Sequence, residues 1–172
     1  MTDIDAYFGI VYDATFRELS RRCVVKAKRI QDVDDLLQNT YERFYRHIRR
    51  HGTNAVENAQ AYLMTLLNKE LARHYRFYAR KREVAYDDSV ELLETAETPE
   101  AETLDRLTLD EIWALIESEP TMTQKVFVLF YGHDMAIAQI AAELGISEAA
   151  VKNRLMRARN KIRAKMRKEE TA

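Results

Sequence analysis

Apolar residues recur with a helical period along nearly the whole chain. Ile4, Phe8, Val11, Thr15, Leu19 and Cys23 stand three or four residues apart, which predicts one or two helices over residues 4–29 with one buried stripe. Asp32 reads as the cap of a second helix through Ile48. Its Val33, Leu36, Leu37, Thr40, Phe44 and Ile48 point inward, and Asp34, Asp35, Gln38, Asn39, Glu42 and Arg43 point out. A polar loop from Gly52 to Asn58 precedes a third helix, residues 59–81, with Leu63, Leu66, Leu67, Leu71 and Tyr78 inward. Further on, Thr98 and Pro99 have the order of a cap and first helical position. The helix they open carries Leu104, Leu107, Ile112, Leu115 and Ile116, stops at Pro120 and places Trp113 as the anchor of a second core. Met122 to Tyr131 predicts another helix, ending at Gly132.

The end of the chain is the most informative. Ile137, Ile140, Ala141 and Leu144 fall at i, i+3, i+4 and i+7, one stripe of a short helix with Asp134 as its expected N-cap. Gly145 stands where a left-handed residue ends such a helix, and Ser147 can cap the next one. In that last helix Val151, Leu155, Ala158 and Ile162 make the packing stripe, leaving Lys152, Asn153, Met156, Arg157, Arg159 and Lys161 for other faces. Two helices around a tight turn, the second docked by an apolar stripe and rich in amide and guanidinium donors, are what major-groove reading requires. A solvated basic face on an ordinary helical hairpin is the plainer alternative. The fold class is all-α, in two helical domains.

Charge sharpens this division. Residues 1–82 hold 16 Lys and Arg against 10 Asp and Glu, residues 83–121 hold 1 against 13, and residues 122–172 hold 10 against 5. The net charge of −1 therefore hides two basic modules around an acidic bridge. Basic modules suit phosphate backbones, where neutralising contacts release counterions. Glu83 to Thr103 has the composition of a flexible linker, so the modules are expected to reach separate segments of DNA. The chain's 172 residues contain only four Gly and two Pro, in keeping with helices, and have no apolar run of about eighteen residues. Charges through residues 1–20 argue against a signal peptide, and the lone Cys23 against a disulfide framework. A cytoplasmic protein is the expectation.

Candidate chemistry outside the last helices is sparse. Cys23, on the apolar stripe, reads as a small buried residue. His47 and His51 have the i, i+4 spacing of metal ligands, but no third ligand is near in sequence and Gly52 breaks the helix, so neither metal nor cofactor is expected. The segment from Arg73 to Arg82 interleaves His74, Tyr75, Phe77 and Tyr78 with the cations Arg73, Arg76, Arg80, Lys81 and Arg82, the composition of a single-strand platform. Core aromatics with solvated cations would give the same composition, and both readings stay open. No nucleophile–base pair or Gly-rich phosphate loop points to an enzyme.

Against these residues the chain resembles the extracytoplasmic-function sigma factors of bacterial RNA polymerase, within the sigma-70 family. Asp34 to Ile48, "DDLLQNTYERFYRHI", resembles the polymerase-binding helix of sigma region 2, and Ala61 to Arg76, "AYLMTLLNKELARHYR", its promoter-melting helix. Met122 to Met166 resembles sigma region 4, the helix-turn-helix domain. The resemblance implies residues 1–82 as a region 2-like bundle, 83–103 as the acidic linker and 104–172 as a region 4-like domain. It implies docking to the clamp of core RNA polymerase through Asp35, Leu36, Leu37, Gln38 and Asn39, with contacts to its flap as well. Promoter DNA would be gripped at a downstream, melted element by Arg50, Thr53, Asn54, Tyr62, Lys69, Arg73 and Arg76. The upstream element would meet Ser147, Lys152, Asn153, Arg154, Met156 and Arg157. An anti-sigma factor is a further implied partner. The chain departs from the family at Asn39, usually Glu, at Tyr62, usually Trp, and at Lys69 and Arg73, usually Asn and an acidic or amide residue. The last two make the melting helix more basic. A two-domain helix-turn-helix regulator and a sigma-like decoy for an anti-sigma protein are the competing functions.

Overall fold

The computed structural model describes residues 3–81 and 108–170, all helical or in short connections, with no strand among them. The chain divides into two units, Met1–Ala85 and Tyr86–Ala172. The stretch expected as a linker, 83–103, lies outside the described residues.

Three helices build the first unit: α1 (Asp3–Lys26), α2 (Val33–His51) and α3 (Ala59–Lys81). The predicted stripes meet, with Leu19 of α1, Phe44 and Ile48 of α2, and Leu63 and Leu67 of α3 all fully buried. Burying a side chain of this size contributes roughly 1.5–3 kcal/mol. Hydroxyls survive on these stripes because each donates back along its own helix, Thr15 to the Val11 carbonyl and Thr40 to the Leu36 carbonyl, both at 2.7 Å. Cys23 is buried and its thiol faces the Val33 carbonyl at 3.8 Å. Asp32 does not cap α2. It belongs to a 3₁₀ turn (Ile30–Asp32) and has φ −88° and ψ −8°, not the extended backbone that turns a capping side chain toward the helix. Its carboxylate instead accepts from the Tyr78 hydroxyl of α3 at 2.7 Å, tying the two helices together.

The second unit contains α4 (Leu109–Glu117), α5 (Thr121–Phe127), α6 (Ile137–Leu144) and α7 (Glu148–Glu170). Thr98, Pro99, Leu104 and Leu107, expected at the start of α4, lie outside the described residues. Thr108 starts the helix: its hydroxyl accepts from Glu111 N–H at 3.3 Å while Glu111 Oε2 accepts from Thr108 N–H at 2.8 Å, a reciprocal capping box. Ile112, Ile116, Phe127, Ala158 and Ile162 form the core, with Trp113 packed at its edge. α5 does not continue regularly to Tyr131. It widens into a π turn over Val128–Gly132, which buries Leu129 completely and lets the Met135 N–H reach the Leu129 carbonyl at 3.1 Å. The wide turn leaves Asp134 in the left-handed region at φ 52°, where it cannot cap α6. Ala136 holds the N-cap position instead, its N–H donating to Gln139 Oε1 at 3.0 Å.

Candidate functional site

The first unit presents two candidate surfaces and the second unit one. On the first, α2 turns Asp35, Gln38 and Asn39 outward while Leu36 and Leu37 are buried at 6% and 4% exposure. The five residues expected to dock a partner thus split: three polar side chains are free to meet one, and two leucines hold the helix that displays them. Leu37 is also the floor of a groove of about 580 Å³ between α1 and α2, walled by Phe8, Tyr12, Phe16, Tyr41 and Tyr45 and edged by Asp34, Gln38 and Glu42. Tyr41 is fixed there by a 2.9 Å hydrogen bond with Thr15 Oγ1, and burial raises its phenol above the ordinary value. The Tyr45 hydroxyl donates to Asp5 Oδ1 at 2.7 Å, which likewise raises its phenol, so both rings line the groove as neutral donors. Periodicity placed the α2 stripe but gave no sign of this groove, because it depends on how α1 lies against α2.

The residues expected to grip melted DNA lie around the other end of α2 and along α3. Arg50 and Asn54 are exposed and Thr53 is half-buried on the turn after Gly52, whose φ of 85° only glycine takes readily. Tyr62 is half-buried, its ring 6.3 Å from that of Phe44 and 5.0 Å from His47. Lys69, Arg73 and Arg76 are exposed at i, i+4 and i+7, a single cationic face. Glu70, on the same helix, has no mark in the periodicity to set it apart. It is 3% exposed and ion-pairs with Arg43 of α2 at 2.5 Å and with Arg73 at 3.3 Å, so Arg73 leans on its own helix. At the C-terminal end of α3 the two readings of the aromatics divide by residue. Tyr75 donates to the Lys26 carbonyl and Tyr78 to Asp32, and both rings carry a cation from the α1–α2 connection, Lys28 at 5.2 Å and Arg29 at 5.5 Å. They are fastened to the unit. Phe77 has 51% of its surface exposed and meets the Tyr78 ring edge-on at 5.5 Å.

The third surface, on the second unit, is the α6–α7 hairpin. Gly145 takes φ 68° and ψ 34°, Ile146 N–H returns to the Ala141 carbonyl at 3.1 Å, and Ser147 Oγ accepts from Ala150 N–H at 3.1 Å. The turn and cap are as the spacing predicts. Val151, Leu155, Ala158 and Ile162 are buried along α7, as expected. Its remaining faces need correction. Asn153 and Arg154 are 7% and 3% exposed, and Arg154 Nη1 points to Thr123 Oγ1 of α5 at 3.4 Å. The packing side of α7 is wider than its apolar stripe, because Thr123 of α5 gives the Arg154 guanidinium a buried polar partner. Ser147 is exposed, Lys152 and Met156 are half-buried, and Arg157 is exposed. Arg159 Nε donates to the Tyr131 hydroxyl at 2.7 Å and its guanidinium stands 5.6 Å from the Phe130 ring.

Residues 109–162 match the family model "Sigma-70, region 4", a span that runs from the first residue of α4 to the last core residue of α7. Among curated protein sequences none matches the chain. Among solved structures, the sigma factor RpoE of Bartonella quintana, crystallised with the anti-sigma factor NepR, is 21% identical. The alignment covers 97% of this chain and 98% of that one, with a TM-score of 0.44. No helix among the described residues is long and apolar enough to cross a membrane.

Proposed function

We propose, from a second unit that belongs to the sigma-70 region 4 family, that the whole chain is a sigma factor of the extracytoplasmic-function group. In this reading it brings core RNA polymerase to specific promoters and helps to open them, and it carries no active site of its own. The region 4 match over α4–α7 carries the proposal, and the capped turn at Gly145 and Ser147 with the cations of α7 supports it physically. Asp35, Gln38 and Asn39 on α2 are the docking residues for the polymerase clamp, with Leu36 and Leu37 holding them in position. Arg50, Thr53, Asn54, Tyr62, Lys69, Arg73 and Arg76 face the melted downstream element. At the upstream element Lys152 and Met156 reach base edges, with Ser147 and Arg157 nearer the backbone, and Asn153 and Arg154 set the angle of the helix. The resemblance of residues 34–48 and 61–76 to region 2 brings polymerase into this reading, and with it an anti-sigma factor as regulator.

Run-off transcription with purified core polymerase, with and without the chain, tests this directly. A specific transcript that appears only with the chain is the expected result. Duplex binding without any transcript or affinity for core would replace it with the second reading, a two-domain regulator that uses the helix-turn-helix alone.

A further inference from the structure

Two cations of α7 end on one carboxylate. Glu119 sits in the corner between α4 and α5 with 12% of its side chain exposed; Oε1 accepts from Lys161 Nζ at 2.8 Å, and Oε2 stands 3.7 Å from Arg157 Nη2. The corner is held rigidly. Gln124 Nε2 donates to the carbonyls of Glu117 and Glu119 at 2.9 and 2.7 Å, which fixes the backbone that carries the carboxylate. The two cations are held very differently. Lys161 donates to both Glu119 and Ser118 Oγ. Arg157 is too far for a hydrogen bond, Glu119 Oε2 has no hydrogen-bond partner among the described residues, and 46% of the Arg157 side chain is open to solvent.

We propose that Glu119 is an internal counter-charge that limits the DNA affinity of α7, holding Arg157 in the free protein and yielding it to a phosphate when a duplex arrives. The inference rests on the duplex-binding reading of this unit. A guanidinium gains directional, charge-assisted hydrogen bonds from a phosphate that the present contact with Glu119 lacks, so the exchange runs toward DNA. Lys161, already doubly hydrogen-bonded, stays. Glu119 thereby lowers binding to any phosphate backbone and leaves sequence-dependent contacts a larger share of the affinity.

The test is a double-mutant cycle on the full chain, with fluorescence anisotropy against a random-sequence DNA duplex across a salt series and thermal melts of each variant. Glu119→Gln keeps an acceptor for Lys161 and removes the charge, so affinity should rise roughly two- to fivefold, the size of one exposed ion pair. Arg157→Gln alone should reduce the salt slope by about one. In the Arg157→Gln background the gain from Glu119→Gln should vanish. An equal gain in both backgrounds would mean only a general loss of negative charge and would overturn the proposal, as would no gain in a variant that melts normally. Should Glu119→Gln fail to fold, the Arg157→Gln slope decides alone: an unchanged slope means Arg157 never leaves Glu119. A wild-type chain that binds no duplex at any salt would instead sink the DNA-binding reading beneath it.

Discussion

Lys152 and Asn153 are neighbours on α7 with different surroundings. Lys152 is half-buried near the N-terminal end of the helix, whereas Asn153 is buried, with 7% of its surface exposed. Losing a base-edge contact costs about 1–3 kcal/mol and relaxes preference at one base pair, while losing a buried polar contact costs stability. Binding-site selection with Lys152→Ala should therefore show one degenerate position in the upstream consensus. Asn153→Ala should lower the melting temperature and keep the consensus. A consensus that relaxes with Asn153→Ala and not with Lys152→Ala would reverse the two roles.

At the scale of elements, caps and turns decide where helices stand. Gly145 is the hinge of the α6–α7 hairpin, and no heavy atom would crowd a Cβ there, so the cost of Gly145→Ala is conformational alone. A left-handed alanine costs roughly 1–2 kcal/mol, which urea unfolding of the variant should report with an unchanged slope. The start of α4 predicts a pH dependence. Hydrogen bonds from the Thr108 backbone N–H and then its hydroxyl hold the Glu111 carboxyl below its ordinary value of 4.5. A group whose pKa is depressed by folding contributes stability above its unfolded value and loses it as pH falls through the folded one. Glu111→Gln should therefore melt lower than the wild type at neutral pH, and the difference should close below about pH 4. A gap that persists at pH 2 would assign the effect to something other than the carboxylate.

For the molecule as a whole, the proposed docking face of α2 and the proposed DNA face of α7 lie in different units, and the charge is distributed to match, basic in 1–82 and 122–172 and acidic between. Damage to one should spare the other. The double variant Asp35→Arg, Gln38→Ala removes only exposed side chains, so it should fold normally, lose core polymerase in pull-down by at least about tenfold, or roughly 1.4 kcal/mol, and keep its salt-dependent binding to duplex DNA. Retention of core at wild-type affinity would move the docking site elsewhere, with the aromatic groove beside Leu37 as the next place to look.

Periodicity alone determined the helices and most of the core. Every residue expected inward on α2 is buried, and so are Leu63, Leu66, Leu67 and Leu71 of α3, because burying one face of an amphipathic helix dominates the local free energy and its spacing is written in the chain. The Gly145 turn and the Ser147 cap were equally legible, since a left-handed residue and a capping hydroxyl act within a few positions of themselves. What the sequence could not supply was the use of each polar group once helices met. Asp32 left its cap for Tyr78, Asp134 was carried out of capping geometry by a π turn, Arg154 turned inward to Thr123 of α5, and Asn153 was buried with it. The start of α4 at Thr108 was legible locally, as a Thr with Glu three positions on, but Thr98 and Pro99 offered a rival start. Glu70 and Glu119 look like any solvated acid in the chain, and only the approach of α2 to α3 and of α7 to the α4–α5 corner makes them partners of arginine. A polar side chain takes whichever partner tertiary packing brings within about 3 Å, and that distance is not encoded in its neighbours along the chain.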